Sequence, residues 1–232
     1  MIDLKAYGAI PNGPISNGPD CTPALNSAIA AALAGDDKTI HVPAGQWMFM
    51  TPPNPISGGI RIIGEGKSDT VLTRAYSNGE FLVIVQNGSE VKDLTLWAGP
   101  GTSGGIGIHM IADNAPNGAG GNHVIEDIWI TSGTGGTWAI PIYLDGLNRT
   151  IAPHGIRAVT LRDVNVFNAT SWAMEWWNTV ACEWYGGGAY QGAGTTQSIA
   201  VGGPLATENL IHAQIDQASS TIWTGALRSP IT

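Results

Sequence analysis

The stretch VKDLTLWAG, residues 91–99, returns in altered form twice further along the chain. The later copies are HVIEDIWITSG at 123–133 and RAVTLRDVNVFNA at 157–169, and each copy sets an Asp before an apolar, a variable and an apolar residue. The aspartates, Asp93, Asp127 and Asp163, are 34 and 36 residues apart. A regular period of about 20–50 residues is typical of solenoids and of blade repeats, so we expect a chain built from repeated turns.

Within each period a second apolar strand precedes the repeated one, as GIGIHMI at 105–111 and AIPIYLD at 139–145. Two strands in every turn favour a parallel β-helix, in which each turn lies on the one before it. Strand alternation then places six residues inside: Leu94, Leu96, Ile128, Ile130, Val164 and Val166. It places Thr95, Trp129 and Asn165 outside, about 4.8 Å apart along the stack. A propeller is the alternative, but its blades need about four antiparallel strands each, and hairpin signals are weak in this chain.

One segment predicts a helix, TPALNSAIAAALA at 22–34. Thr22 suits the N-cap, Pro23 the first helical position and Gly35 the C-terminus, while Leu25, Ile29 and Leu33 form an apolar stripe. A solenoid exposes apolar ends, so we expect this helix to cap the N-terminal one. The predicted single domain divides into strand, loop and helix at 1–37, six or seven coils at 38–207, about 30 Å tall, and a closing tail at 208–232.

Composition excludes several classes of protein. The 232 residues carry a net charge of −8 with no basic run, which disfavours nucleic acid and anionic membranes as partners. Neither a signal peptide nor an apolar run long enough to span a membrane is visible. Cys21 and Cys182 form no CxxC motif, and two buried thiols are favoured over a disulfide. No Asp-rich calcium loop occurs, so neither a metal nor any other cofactor is predicted.

The first hundred residues resemble the pectate-lyase-like right-handed β-helix superfamily, in its bacteriophage tailspike and fibre branch. Four motifs carry the resemblance in the right order and spacing: YGAIPNGPISNGPDCTPALNSAI at 7–29, HVPAGQWMF at 41–49, IRIIGEGKSDTVLT at 60–73 and VKDLTLWAG. The chain departs from the pattern at Asp20-Cys21, where the branch has two aspartates. The implied fold is an all-β, single-stranded right-handed parallel β-helix with a short N-terminal capping α-helix.

The resemblance implies a fold that hosts lyases, hydrolases and catalytically silent spikes. The first hypothesis is a structural virion spike or fibre, a homotrimer on the virion surface that contacts other virion proteins and host-surface polysaccharide. The second is a polysaccharide-degrading enzyme acting on capsule or O-antigen. Hydrolysis is favoured over elimination, because acids outnumber organised bases. A bacterial surface or secreted β-helix is the third. The sequence leans towards a protein that is not an enzyme.

The repeated aspartates are one candidate for chemistry, with Asp127 and Asp163 as weak catalytic candidates. Carboxylates about 4.8 Å apart approach the spacing of a retaining glycosidase pair, about 5–5.5 Å. The simpler interpretation is a repeated turn, because Asp before a strand commonly bonds to backbone N–H groups. A repeated position favours the architectural role, because an active site needs only one set of residues.

The aromatic segment SWAMEWWNTVACEWYGG, residues 171–187, is the other candidate. Indole faces beside carboxylates suit sugars, so Trp129, Trp172, Trp177, Trp184 and Tyr185 are predicted carbohydrate-binding residues. The acid and base of a hydrolase would then be Glu175 and Glu183. Core packing and a trimer interface together are the more ordinary explanation for these aromatic residues.

Overall fold

The computed structural model describes residues 1–11, 18–86, 88–112, 121–146, 155–190, 197–202, 209–215 and 222–224. A 3-10 helix spans Leu4–Tyr7 and the α-helix, α1, spans Thr22–Ala34. The strands are β1 (Ile2–Asp3), β2 (Thr39–His41), β3 (Gly45–Phe49), β4 (Arg61–Ile63), β5 (Thr70–Arg74), β6 (Glu80–Val85), β7 (Glu90–Ala98), β8 (Ile106–Ile111), β9 (Val124–Ser132), β10 (Ile140–Asp145), β11 (Ile156–Arg157), β12 (Thr160–Phe167), β13 (Trp172–Trp177), β14 (Thr179–Val180), β15 (Glu183–Tyr190), β16 (Gln197–Gly202), β17 (Leu210–Ile215) and β18 (Ile222–Thr224).

All pairings between the described strands are parallel. The first sheet runs in the order β1-β2-β4-β7-β9-β12-β15-β17, with β3 and β5 beside this path. The second sheet runs β18-β16-β13-β10-β8-β6, and β11 pairs with β14. Successive turns of the chain therefore supply neighbouring strands, as in a right-handed parallel β-helix. The predicted fold is confirmed, and parallel pairing argues against a propeller, whose blades are antiparallel meanders.

The interior is a set of apolar columns in strict register. Leu94 pairs with Ile128, which pairs with Val164, and all three side chains are 0% exposed. The adjacent column of Leu96, Ile130 and Val166 is equally buried. Each fully buried aliphatic side chain contributes about 1.5–3 kcal/mol, so these columns are the main stabilising feature of the coils. Residues one repeat apart in the sequence are therefore paired in neighbouring coils of the structure.

The three repeated aspartates share an unusual backbone conformation. Asp93, Asp127 and Asp163 have φ of 58°, 50° and 48°, in the left-handed region that few residues other than Gly, Asn and Asp adopt readily. Each one lies within a long strand of the first sheet, at the position where the pairing with the neighbouring strand is interrupted. In the preceding turn the same corner opens into a loop, residues 64–69, that separates β4 from β5. The recurring Asp therefore has an architectural reason, which is to turn the strand at one corner of three successive coils.

Helix α1 covers the N-terminal end of the stack, and its details correct two expectations. Cys21, not Thr22, occupies the N-cap and makes no side-chain capping bond. Asp20 instead fixes the helix start by accepting bonds from the Thr22 amide (2.9 Å), the Thr22 hydroxyl (2.6 Å) and the Met50 amide (3.0 Å). The predicted apolar stripe is wrong at Leu33, which is 46% exposed because the packed face runs through Ala28 and Ala32.

The first sheet's path contains eight strands, and the six of them that lie within 38–207 are β2, β4, β7, β9, β12 and β15. In the predicted closing tail, β17 and β18 continue the two sheets, while residues 208, 216–221 and 225–232 lie outside the described residues. Both cysteines are free and buried, as predicted. Among the described residues, no helix has the length and apolarity to cross a membrane, and no group of His, Cys, Asp and Glu is arranged to hold a metal ion.

Candidate functional site

A groove of about 360 Å³ lies on the outer face of the first sheet, beside the loop that joins β4 to β5. Its floor comes from outward positions of four strands and its wall from the loop. The lining residues are Gln46, Lys67, Ser68, Val71, Thr95, Trp97, Trp129 and Thr131. The groove therefore combines two indoles with hydroxyl, amide and ammonium groups.

Strand register brings the two tryptophans together. Trp97 lies beside Thr131 and Trp129 beside Thr95, so the indoles are diagonal neighbours on β7 and β9. Gly133 makes room for Trp97, because a Cβ at that glycine would stand 2.4 Å from Cζ2 of the indole. Both tryptophans are half-buried. They present part of each ring to solvent while the remainder packs on the sheet.

A charged pair stands beside the indoles. Lys67 forms an ion pair with Asp127, and its Nζ lies 5.6 Å from the centre of the Trp129 ring. The Thr95 hydroxyl donates to the Lys67 carbonyl at 2.6 Å, which ties the loop to the floor. The Lys67 side chain is therefore held between a carboxylate and an aromatic face.

The repeated aspartates line the corner next to this groove. Burial raises the pKa of Asp93 above its ordinary value, with Lys92 opposing the shift and Asp127 adding to it. The charge of Asp127 in the next coil thus adds to the effect of burial at this corner. The left-handed backbone at each member supports the architectural interpretation of the column.

Aromatic side chains continue from the groove across the sheet. Phe167 on β12 pairs with Tyr190 on β15, and their rings stack with centres 5.0 Å apart and planes 15° apart. With Trp97 and Trp129 they form what we call the aromatic stripe, on four successive strands, β7, β9, β12 and β15. Three strand spacings give it a length of about 14 Å parallel to the solenoid axis.

The predicted site residues are distributed over several surfaces. Asp127 and Trp129 lie together at the groove, and Asp163 is exposed one strand further on. Tyr185 is 37% exposed on the other half of the first sheet. Trp172 and Trp177 are half-buried on β13 of the second sheet.

Two of the sequence-based assignments are wrong. Trp184 is 0% exposed, because alternation turns it inward between Leu161 and Ile211, so it has no surface to offer a sugar. Glu175 and Glu183 do not form an acid–base pair. Glu175 pairs with Tyr143 and Ala200 in the second sheet, whereas Glu183 belongs to the first sheet.

Sequence reasoning missed Trp97 and Lys67. Trp97 could have been found, because it stands two residues after Thr95 in the quoted stretch and so shares its outward face. Lys67 gave no such signal, since its partner Asp127 is 60 residues away and the contact depends on the path of the loop.

No family model matches the chain, and no curated protein matches it. Several solved structures do match the chain. The A-module of the Azotobacter vinelandii mannuronan C-5 epimerase AlgE6 is 14% identical over 96% of this chain and 68% of that chain, with a TM-score of 0.50. The Agl-KA catalytic domain is 15% identical over 95% of this chain and 45% of that chain, with a TM-score of 0.53. The Dettilon tailspike protein (gp208) is 11% identical over 93% and 61%, with a TM-score of 0.36.

Proposed function

We propose that the protein binds polysaccharide along the aromatic stripe. The observation that carries the proposal is the pairing of Trp97 and Trp129 in an open groove with a fixed Lys67–Asp127 ion pair beside them. Apolar C–H faces of sugar rings stack on indole faces, while sugar hydroxyls bond to charged and polar groups at the edges. The groove supplies both kinds of contact within a few ångströms.

The stripe suits a polymer better than a single sugar. Trp97, Trp129, Phe167 and Tyr190 occupy successive strands, and Trp129 stands two residues along β9 from Thr131, the partner of Trp97. A glycan chain laid parallel to the solenoid axis therefore meets aromatic side chains on both sides of its path. Regular strand spacing gives the surface the repeat that a repeating ligand needs. A small-molecule pocket would instead enclose its ligand on most sides.

The finer assignment is a virion spike or fibre that contacts host-surface polysaccharide as a homotrimer, together with other virion proteins. Its support is the order of the four N-terminal motifs, which resembles the tailspike branch of the superfamily. The net charge of −8 also fits a protein that approaches its partner through stacking and hydrogen bonds rather than through a basic surface.

The binding assignment is tested with a panel of soluble polysaccharides: dextran, xanthan, polymannuronate, and purified bacterial capsule and O-antigen. Isothermal titration calorimetry of the full chain should detect binding to at least one. Trp97→Ala and Trp129→Ala should each weaken it at least about tenfold, or about 1.4 kcal/mol. Trp172→Ala, which removes the same side chain from the second sheet, is the matched control and should bind normally. Binding that survives both groove substitutions would overturn the assignment.

The trimer is tested by light scattering after size-exclusion chromatography. A mass three times that of the chain is expected, and the same mass is expected for the two groove variants. If Trp97→Ala and Trp129→Ala dissociate the oligomer, the stripe is a subunit seam and the polysaccharide assignment fails.

A further inference from the structure

The loop that joins β4 to β5 lies unusually close to β7. The Gly66 amide donates to the Asp93 carbonyl at 2.9 Å, and the Thr95 hydroxyl donates to the Lys67 carbonyl at 2.6 Å. A Cβ at Gly64 would stand only 2.1 Å from the Asp93 carbonyl oxygen, so this approach requires glycine. The backbone of Lys67 is therefore fixed from both sides before its side chain makes any contact.

The side chain of Lys67 has little freedom at its end. Its Nζ contacts the carboxylate of Asp127, which lies 60 residues further along the chain, and stands 5.6 Å from the centre of the Trp129 ring. A carboxylate on one side and an indole on the other restrict where the nitrogen can move. A primary amine and a carboxyl group, the two reactants of an amide bond, are thus held against each other.

A second carboxyl group stands beside this pair. Asp93 and Asp163 occupy the position of Asp127 in the coils before and after it, about 4.8 Å away by the strand spacing. Burial raises the pKa of Asp93; Lys92 opposes this shift and Asp127 adds to it. Asp93 therefore keeps a proton to a higher pH than an ordinary aspartic acid, whereas Asp163 is exposed to solvent.

We propose that Lys67 and Asp127 become joined by an intramolecular amide bond, a covalent cross-link for which Asp93 relays the proton. An ordinary exposed ion pair contributes about 0–1 kcal/mol and needs no fixed backbone, whereas this lysine is bonded to β7 on both sides. Well-oriented groups within one molecule react as if one of them were present at about 10⁵–10⁸ M. Orientation of this kind can drive a condensation that dilute amines and carboxylates in water do not undergo.

The bond changes balance without any co-reactant. The Lys67 ammonium passes one proton to the Asp127 carboxylate, which leaves a neutral amine and a neutral carboxyl group. Nζ then forms a bond to Cγ of Asp127. Asp93 gives its proton to the departing hydroxyl and takes one from the nitrogen, so it ends as it began. The C–O bond breaks and one water molecule leaves.

The cross-link has a structural consequence for the groove. It ties the loop that forms the wall to β9, two coils further along the first sheet, and it replaces a pair of charges by one amide. The amide still offers an N–H donor and a carbonyl acceptor to a hydroxyl-rich ligand. The inference does not rest on the proposed polysaccharide binding, since the contact between Lys67 and Asp127 is complete within the chain.

Mass spectrometry of the denatured full chain, after a week's incubation at neutral pH, tests the cross-link. The protein should be lighter than its sequence requires by the mass of one water molecule. A tryptic digest should contain a branched peptide that joins residues 62–74 to residues 93–149. Lys67→Arg is the matched control: its guanidinium keeps the positive charge but stays protonated, so this variant should show the full mass and no branched peptide.

The role of Asp93 is tested by the rate of cross-linking after cell-free synthesis. Asp93→Asn should slow the appearance of the branched peptide at least about a hundredfold, the usual share of proton transfer, with the circular dichroism spectrum unchanged. Asp163→Asn, the same substitution on the other side of Asp127, should cross-link at the wild-type rate. Equal rates for Asp93→Asn and the wild type would overturn the relay.

The outcomes also separate this inference from the binding proposal. If the wild-type chain keeps its full mass and yields no branched peptide, the cross-link is refuted, and the groove with its ion pair stands as described. A water loss that persists in Lys67→Arg would equally refute it, because the lost water would then come from another part of the chain. Loss of polysaccharide binding in the Trp97 and Trp129 variants leaves the mass of the cross-linked chain unaffected apart from the substitution itself.

Discussion

Two buried histidines, in two regions of the same solenoid, have opposite pKa shifts. His109 lies on the outer face of the second sheet between Glu80 and Asp145, and its pKa is raised. His123 lies at the edge of the first sheet just before β9, is 0% exposed, and has a pKa of about 4. Burial alone lowers the pKa of both, so the carboxylates of neighbouring coils make the difference.

The comparison shows how a parallel β-helix decides the charge of a buried group. Each side chain has its closest neighbours at the same register position in the coils above and below. Where those positions carry acids, as around His109, a cation is stabilised. His123 instead accepts a 3.3 Å bond from the Ser89 amide through Nδ1, a bond that requires a neutral ring nitrogen.

Arg74 extends the comparison to a buried cation whose close partners are aromatic. The guanidinium is 0% exposed, lies 4.1 Å from the centre of the Trp138 ring and donates to the Thr137 carbonyl at 2.7 Å. Arg74→Ala should lower the free energy of unfolding by about 3–5 kcal/mol, because it empties a large buried volume. Arg74→Met, which fills most of that volume without a charge, should cost clearly less. Urea unfolding monitored by circular dichroism measures both.

Equal losses for the two Arg74 variants would show that the charge stacked on Trp138 stabilises the fold, rather than the packing volume. That outcome would mean that aromatic rings, like carboxylates, can stabilise a buried cation in this protein.

His123 should make the protein sensitive to acid. The unfolded chain binds a proton at His123 near the ordinary pKa of 6.5, whereas the folded chain resists protonation down to about 4. The stability from this residue is therefore complete above pH 6.5 and lost as pH falls through 4, a total of about 3 kcal/mol. Urea unfolding at half-unit steps of pH measures the slope. His123→Gln should flatten it between pH 6.5 and 4; an unchanged slope would contradict the assignment.

Much of the fold could be predicted because strand alternation and the repeat can both be seen directly in the sequence. The column Leu94, Ile128 and Val164 follows from strict alternation and a repeat of 34 and 36 residues. The same alternation turns Trp184 inward, since Cys182 and Trp184 flank the polar Glu183. The prediction for Trp184 rested on the richness of the segment in aromatic residues. Composition carries no information about which face of a strand each ring occupies.

The candidate site and the cluster around His109 were harder to predict, for two different physical reasons. The Lys67–Asp127 pair depends on a loop whose path no periodic pattern specifies. The cluster around His109 was accessible in principle, because GIGIHMI and AIPIYLD are neighbouring copies and their alignment sets His109 beside Tyr143. What the alignment leaves out is the rotamer that brings Nδ1 to Glu80.

His109 should show the opposite pH dependence to His123. Its folded-state pKa is raised, so its contribution is complete below pH 6.5 and is lost as pH rises through the folded pKa. His109→Gln should lower the free energy of unfolding by about 1.5 kcal/mol at pH 6, the lower end for a charged hydrogen bond because Glu80 is partly exposed. The loss should shrink at pH 9. The two histidines together predict greatest stability near pH 6.5, and equal losses at pH 6 and 9 would refute the charge on His109.

The smallest effect is expected where a charge is exposed, at Asp163. Its side chain is open to solvent, and its φ of 48° makes conformation the main demand on this position. Asp163→Asn keeps a residue that tolerates the left-handed region and should change the free energy of unfolding by less than about 0.5 kcal/mol. Asp163→Val should cost about 1–2 kcal/mol, because its Cβ is strained there. A loss from Asp163→Asn as large as that from Asp163→Val would show that the position requires the carboxylate itself rather than the backbone conformation.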